Sequence, residues 1–210
     1  LAVLSRLGYK CTGADDFGDA WHQAEGVLAR IREFARKEGI TLVEAPASAA
    51  TSRKEDFDVL ILNDVLEHLH VSPREMLCDL LRAVRPTGYL VVTVPNAVNI
   101  RKRVDVLRGR TNLPPFASYY WYPGQWRGHI REYVRDDLVQ MAEYLQLDIV
   151  ELRGCDQMLG RVPKGARWLW KLVTAVFDGW KDSWLLVARK RENWNPERAP
   201  RAVAGPMAEA

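Results

Sequence analysis

The chain has 210 residues, 48% hydrophobic and 27% charged, with Lys+Arg 30 against Asp+Glu 27. That composition excludes a disordered or low-complexity chain, and a net charge of +3 is too small to argue for a nucleic-acid partner by itself. No apolar run of about 18 residues occurs, so no stable membrane insertion is expected.

The cysteines Cys11, Cys78 and Cys155 are an odd, scattered set, which fits a reducing, cytoplasmic compartment better than a disulfide framework. None of His22, His68, His70 and His129 is joined to cysteine at zinc spacing. His68 and His70, two apart, point in opposite directions on a strand. No metal site is therefore expected.

The chain opens on Leu1-Ala2-Val3-Leu4-Ser5-Arg6-Leu7, which reads as the middle of a buried helix and suggests a fragment. Tyr9 to Gly13 fits a short strand ending in Ala14-Asp15-Asp16. Ala24, Val27, Leu28, Ile31, Phe34 and Ala35 recur at helical spacing, closed by Gly39. Ile40 to Glu44 reads as a strand, followed by a loop. Phe57 to Leu62 is a nearly continuous apolar run, as in a strand covered on both faces. Ser72-Pro73-Arg74-Glu75 has the form of a capping box opening a helix, which Arg85-Pro86-Thr87-Gly88 should stop. Tyr89 to Val94 is the next strand, and Ala97 to Leu107 the next helix.

Residues 110–127 form a long loop rich in aromatic residues, the kind that is usually functional. One more helix (Leu138 to Leu145), a strand (Leu147 to Arg153), a short helix within Gly165 to Trp180 and a last strand (Ser183 to Arg189) follow. Residues 191–210 read as a disordered tail. Alternating helices and buried strands give an α/β fold, with ligands expected at the carboxyl ends of the strands. Those ends carry Asp15-Asp16, Glu44-Ala45, Asn63-Asp64 and Pro95-Asn96. Taken alone, Asp15 is as well explained as a turn former.

Read together, Phe57-Asp58 followed by Glu67-His68-Leu69, then Leu81-Arg82-Ala83-Val84-Arg85-Pro86-Thr87-Gly88 and Val94-Pro95-Asn96, resemble one family. They are similar to the class I S-adenosylmethionine-dependent methyltransferases, in the group with an FDxxxxxxxxEHL strand, an LxPGG turn and a PN strand end. Thr87 stands where that family has the first of two glycines. The final strand pair also looks like the family's antiparallel hairpin.

The resemblance implies a Rossmann-like three-layer α/β sandwich. Its sheet would be mostly parallel and seven-stranded with an antiparallel last strand, the first strand being absent from this chain. The methyltransferase domain would span residues 1–190, with a substrate-side cap at about 97–133. None of the 14 glycines forms a GxG, and the family's glycine-rich loop would fall just upstream of Leu1.

The resemblance also implies site roles. Asp15 would hold the ribose hydroxyls of the cofactor, with Asp16 beside it, and Glu44-Ala45-Pro46-Ala47 would flank the adenine. Asn63 would lie beside the methionine part of the cofactor. Asp64, Glu67 and His68 would line the floor near its methyl group. His129 and Asp64 are the candidate general bases. Asn96, Tyr122, Trp126 and Arg131 are assigned to the substrate side, although Arg131 equally suits a salt bridge.

The function expected is methyl transfer from S-adenosylmethionine to an O, N or C nucleophile of a small molecule. One alternative is an inactive methyltransferase-like binding subunit. A nicotinamide-dependent oxidoreductase is disfavoured by the closing hairpin. The second aromatic group, Trp168 to Trp184, reads as core packing, with a membrane-surface helix as the alternative.

Overall fold

The computed structural model describes residues 1–19, 22–44, 57–157 and 164–196. The chain divides into two compact units, Leu1–Lys54 and Glu55–Ala210.

In the first unit, helix α1 (Ala2–Arg6) leads to strand β1 (Thr12–Asp15), helix α2 (Val27–Lys37) and strand β2 (Thr41–Glu44). β1 and β2 pair in parallel, from Thr12 opposite Thr41 to Asp15 opposite Glu44. The strand expected from Tyr9 starts three residues later, because Gly8 (φ 91°) turns the chain and the Tyr9 N–H donates back to the Leu4 carbonyl. Arg6 makes a two-pronged pair with Glu38, beside a hydrogen bond from the Ser5 hydroxyl to the Glu38 carbonyl.

The second unit holds strands β3 (Phe57–Asn63), β4 (Val84–Pro95), β5 (Leu147–Cys155) and β6 (Ser183–Lys190). Its helices are α3 (Pro73–Arg82), α4 (Ile100–Leu107), α5 (Phe116–Tyr120), α6 (Arg135–Tyr144) and α7 (Arg167–Val176). The strand order is β3-β4-β6-β5, with β3 parallel to β4 and β6 antiparallel to both neighbours. The last strand alone is reversed, as expected. A single seven-stranded sheet is not what the described residues show. They carry a two-stranded and a four-stranded sheet.

Alternation along β4 and β6 builds the core of this unit. Leu90 faces Ala188, Val92 faces Leu186 and Val94 faces Trp184, and all six are almost fully buried. At the end of this row, the buried Lys190 ammonium donates to the carbonyls of Leu81 and Val84, beside the C-terminus of α3. β3 departs from expectation. It is paired along one edge only, and Val59 remains 44% exposed, so the apolar run is not covered on both faces among the described residues.

Helix α3 begins at the expected residues, with Pro73 at the first helical position and Ser72 accepting from the Arg74 N–H, a simple N-cap rather than the reciprocal capping box with Glu75. The stop expected at Arg85-Pro86-Thr87-Gly88 lies instead inside β4, as an irregularity between the pairs Phe57–Val84 and Val59–Tyr89. Thr87 adopts φ 62°, a left-handed backbone that a β-branched residue disfavours. A Cβ on Gly88 would stand 2.6 Å from Val84 Cγ1 and 2.8 Å from the Asp58 carbonyl, so that position needs glycine. Thr87→Gly should therefore stabilise the protein by about 0.5–1 kcal/mol, strain relief outweighing the added chain entropy. A higher urea midpoint is the expected result.

Three further expectations change. The aromatic loop contains the short helix α5. The start of the expected disordered tail is packed: Trp194 Nε1 donates to the Leu145 carbonyl at 2.6 Å, and its ring lies under the Lys190 ammonium. Residues 197–210 lie outside the described residues. Trp168, Leu172 and Val176 of α7 are more than half exposed rather than packed in the core, while Thr174 faces inward. No helix among the described residues is long and apolar enough to cross a membrane.

Candidate functional site

A polar cluster lies at the carboxyl ends of β3 and β4 in the second unit. Beyond Asn63 the chain turns at Asp64 (φ 51°), whose N–H donates to the Thr93 carbonyl at 3.0 Å. A single 3-10 turn, Leu66–His68, follows. Leu66 anchors it at 1% exposure, and this rotation carries the neighbouring Glu67 inward, to 0% exposure.

The segment before α6 docks on this turn through its main chain. Ile130 N–H donates to the Glu67 carbonyl at 2.6 Å, and the Tyr133 hydroxyl donates to the Leu66 carbonyl at 3.3 Å. Tyr133 also bridges to Asn96 alongside β4. His68 Nδ1 lies 2.7 Å from the Arg127 carbonyl, and His70 Nε2 lies 2.6 Å from that of Trp126. Both ring nitrogens must be protonated donors there, because a carbonyl only accepts.

This docking brings the His68 and His129 rings to 5.1 Å in an edge-to-face arrangement. His129 Nδ1 lies 2.8 Å from Glu132 Oε1, and the other oxygen of Glu132 pairs with Lys102. Glu67, His68 and His129 each present one donor atom, all within 4.8 Å of one another. Lys102 and Tyr133 were not picked out from the sequence. The only signal available was a set of charged and phenolic residues flanking apolar positions.

Burial sets the electrostatics. It pushes the Glu67 carboxyl up to about 7, against the opposing pulls of its own main-chain amide dipole and of His68. Burial, His68 and the Lys102 ammonium together hold the His129 imidazole down to about 4. Burial likewise brings Lys102 down to about 8, and raises Asp64 above the ordinary aspartate range.

A raised Glu67 favours the folded state fully below the ordinary carboxyl value and loses that contribution as pH rises through about 7. A depressed His129 does the reverse, losing its contribution as pH falls from its ordinary value towards about 4. In chelator-treated buffer the two oppose each other across mildly acidic pH. Glu67→Gln removes one of them, so its urea midpoint should fall more steeply on acidification through that window than the parent's.

The remaining expected site residues fall as follows. In the first unit, Asp15 Oδ1 accepts from the Phe17 N–H at 2.7 Å and Asp16 Oδ1 from the Gly18 N–H at 2.8 Å, so both close turns after β1. Glu44 forms a two-pronged pair with Arg32, which occupies both of its oxygens and lowers its pKa. Residues 45–47 lie outside the described residues.

In the second unit, the Asn63 side-chain oxygen accepts from the Thr93 hydroxyl at 3.3 Å. Asn96, assigned to the substrate side, is instead fully buried. Its amide donates to the carbonyls of Gly179 and Lys181, and its oxygen accepts from the Val98 N–H, so its polar atoms are spent inside the fold. Tyr122 packs edge-on to Trp126, whose ring lies over Gly128, where a Cβ would collide with it. Arg131 pairs with Asp137 at 3.1 Å and leans over the Tyr133 ring. A cavity of about 190 Å³ is lined by Ala97, Asn112, Leu113, Pro114, His129, Ile130 and Glu132.

A family model described as a methyltransferase domain matches residues 1–152. The chain belongs to this methyltransferase family. Its fold recurs in solved structures at low identity. A SAM-dependent methyltransferase from Methanosarcina mazei is 13% identical, with a TM-score of 0.57, over 90% of this chain and 85% of that one. One from Archaeoglobus fulgidus is 17% identical, with a TM-score of 0.51, over 90% and 79%. The [4+2]-cyclase SpnF is 14% identical, with a TM-score of 0.55, over 90% and 69%. No curated protein matches the chain. The Rossmann-like α/β fold expected from the motifs is thus the fold of the chain.

Proposed function

We propose that the protein binds S-adenosylmethionine and transfers its methyl group to a small-molecule acceptor. The observation that carries this reading is the match of the methyltransferase family to residues 1–152. The polar cluster at the carboxyl ends of β3 and β4 supports it, since ligands of α/β sheets bind at those ends. Bound S-adenosylmethionine would supply an activated methyl group on a sulfonium, which needs no redox step.

The residues of the chain would act by binding and orientation. Asp15 closes β1 with a carboxylate suited to accept from the ribose hydroxyls. Asn63 and Asp64, ending β3, suit the polar end of the cofactor. Glu44, held by Arg32, is a poor candidate for the adenine contact. His129 is held neutral, and with its pKa near 4 it is poorly matched to a general base at neutral pH. It offers Nε2 as an acceptor instead, which leaves Asp64 as the proton acceptor of the two candidates.

A second reading rests on SpnF, whose name denotes cyclisation on a similar fold, because fold alone does not fix chemistry. The chain would then bind the cofactor without transferring methyl. Calorimetric titration of the full-length protein with S-adenosylhomocysteine, followed by its incubation with labelled S-adenosylmethionine and a panel of hydroxyl and amine acceptors, separates the two. Binding with label transfer supports the enzyme, and binding without transfer across the panel supports the second reading. No binding at millimolar ligand refutes both.

A further inference from the structure

Glu67 is a carboxylate at 0% exposure, and neither of its oxygens has a hydrogen-bond partner among the described residues. A buried group of this kind is costly unless something positive meets it. Two imidazoles stand beside it, and as neutral rings they offer lone pairs rather than charge. His68 Nε2 stands 3.9 Å from Glu67 Oε1, and one donor atom each from Glu67, His68 and His129 lies within a 4.8 Å circle.

The tautomers decide what those imidazoles can offer. His68 Nδ1–H is held by the Arg127 carbonyl and His129 Nδ1–H by the Glu132 carboxylate. In its neutral form each ring therefore presents Nε2 as its lone-pair nitrogen. An Nδ1–H fixed by a carbonyl on one ring and by a carboxylate on the other is the outer-sphere support that metal-bound histidines carry. Glu132 is fixed in turn by Lys102.

We propose that Glu67, His68 and His129 form a binding site for a divalent first-row transition-metal ion. Two neutral imidazoles and one carboxylate match the borderline character of zinc and cobalt ions. The charge matches as well, since a dication turns an isolated buried anion into a compensated group. At metal–nitrogen distances of about 2.0–2.1 Å, tetrahedral ligand atoms lie about 3.3 Å apart. The triad as it stands is somewhat wider, so binding draws the three side chains inward through small χ changes. Three protein ligands leave part of the coordination sphere open to an exogenous oxygen or nitrogen donor. His129 also lines the cavity beside the cluster.

Sequence spacing hides this site. His68 and His70, two apart, are the pair a spacing rule considers, whereas the structure joins His68 to His129 and turns His70 away to the Trp126 carbonyl. The proposal does not depend on the identity of the methyl donor or acceptor.

The test is titration of the chelator-stripped full chain with cobalt(II), followed by visible absorption and calorimetry. The expected result is one saturable equivalent with a nitrogen- and oxygen-ligated spectrum. Glu67→Gln and His129→Gln should each weaken binding more than about 100-fold, and Glu132→Gln, acting on the outer sphere, by about 10–100-fold. His70→Gln should leave the affinity unchanged. Thermal melts of each variant check that it is folded, and Glu67→Gln, nearly isosteric, exchanges one carboxylate oxygen for an amide NH2 and removes the charge. Failure to saturate, an affinity indifferent to Glu67→Gln, or a thiolate-to-cobalt band from Cys11, Cys78 or Cys155 would overturn the site. If cobalt does not bind while the ring-nitrogen NMR shifts of His68 and His129 move in Glu67→Gln, the cluster shares a proton instead, and the proposal fails.

Discussion

Asp15→Ala is expected to weaken S-adenosylhomocysteine binding about 100-fold or more, read by isothermal titration. A hydrogen bond from a neutral hydroxyl to a carboxylate contributes about 1.5–3 kcal/mol, and a ribose diol presents two such donors. The same carboxylate also closes a turn by accepting from the Phe17 N–H. Loss of affinity in the alanine variant could therefore come from either role. Asp15→Asn separates them. It retains an oxygen for the turn but gives up the negative charge and half of the acceptor set. If Asp15 holds the ribose, Asn should lose about tenfold, with the circular dichroism of the chain unchanged. Wild-type affinity in the Asn variant together with weak binding in the Ala variant would assign Asp15 to the turn alone.

Much of the fold was legible because it is written in local patterns. The apolar run from Phe57 became β3, and Ser72-Pro73 opened α3. The last two strands paired antiparallel over nearly the residues expected, Leu147–Cys155 with Ser183–Lys190. Where tertiary context overrides local chemistry, the sequence misled. Pro86-Thr87-Gly88 has every local mark of a stop, yet the pairing with β3 carries β4 through it at the cost of a strained Thr87. Trp194 sits in a stretch rich in charge and proline, but its ring covers Lys190 and its N–H finds a carbonyl on α6's last turn.

The site was legible residue by residue but not as an assembly. Glu67 and His68 were marked for the floor of the cofactor site and His129 as a general base. Their meeting depends on main-chain bonds between segments about 60 residues apart, such as Ile130 N–H to the Glu67 carbonyl, and no periodicity encodes those. Nor does sequence show which way a side chain turns. Glu67, in the turn after β3, and Asn96, at the end of β4, both lie where ligand contacts are expected, and both point into the protein.

Asn96 is the position where that inward turn should matter most. Asn96→Ala is expected to destabilise the second unit by about 3 kcal/mol, seen as a lower urea midpoint followed by tryptophan fluorescence. The side chain uses three hydrogen bonds to tie the end of β4 to Gly179, Lys181 and Val98, two of them from the segment that leads into β6. Each buried partner left unpaired costs about 1–3 kcal/mol, reduced where water can reach it. Trp184 on β6 is 3% exposed and follows that segment, so its emission should report the loosening directly. Asn96→Asp sharpens the argument. Aspartate has nearly the same shape and keeps the acceptor for Val98, but it turns two donated bonds into a carboxylate facing two carbonyl oxygens. At neutral pH it should be at least as damaging as alanine, and it should recover part of the loss under acid, where a protonated carboxyl can donate to one of the carbonyls again. An alanine variant as stable as the parent would mean that water replaces all three bonds, and that Asn96 does not fasten β4 to the strand beside it.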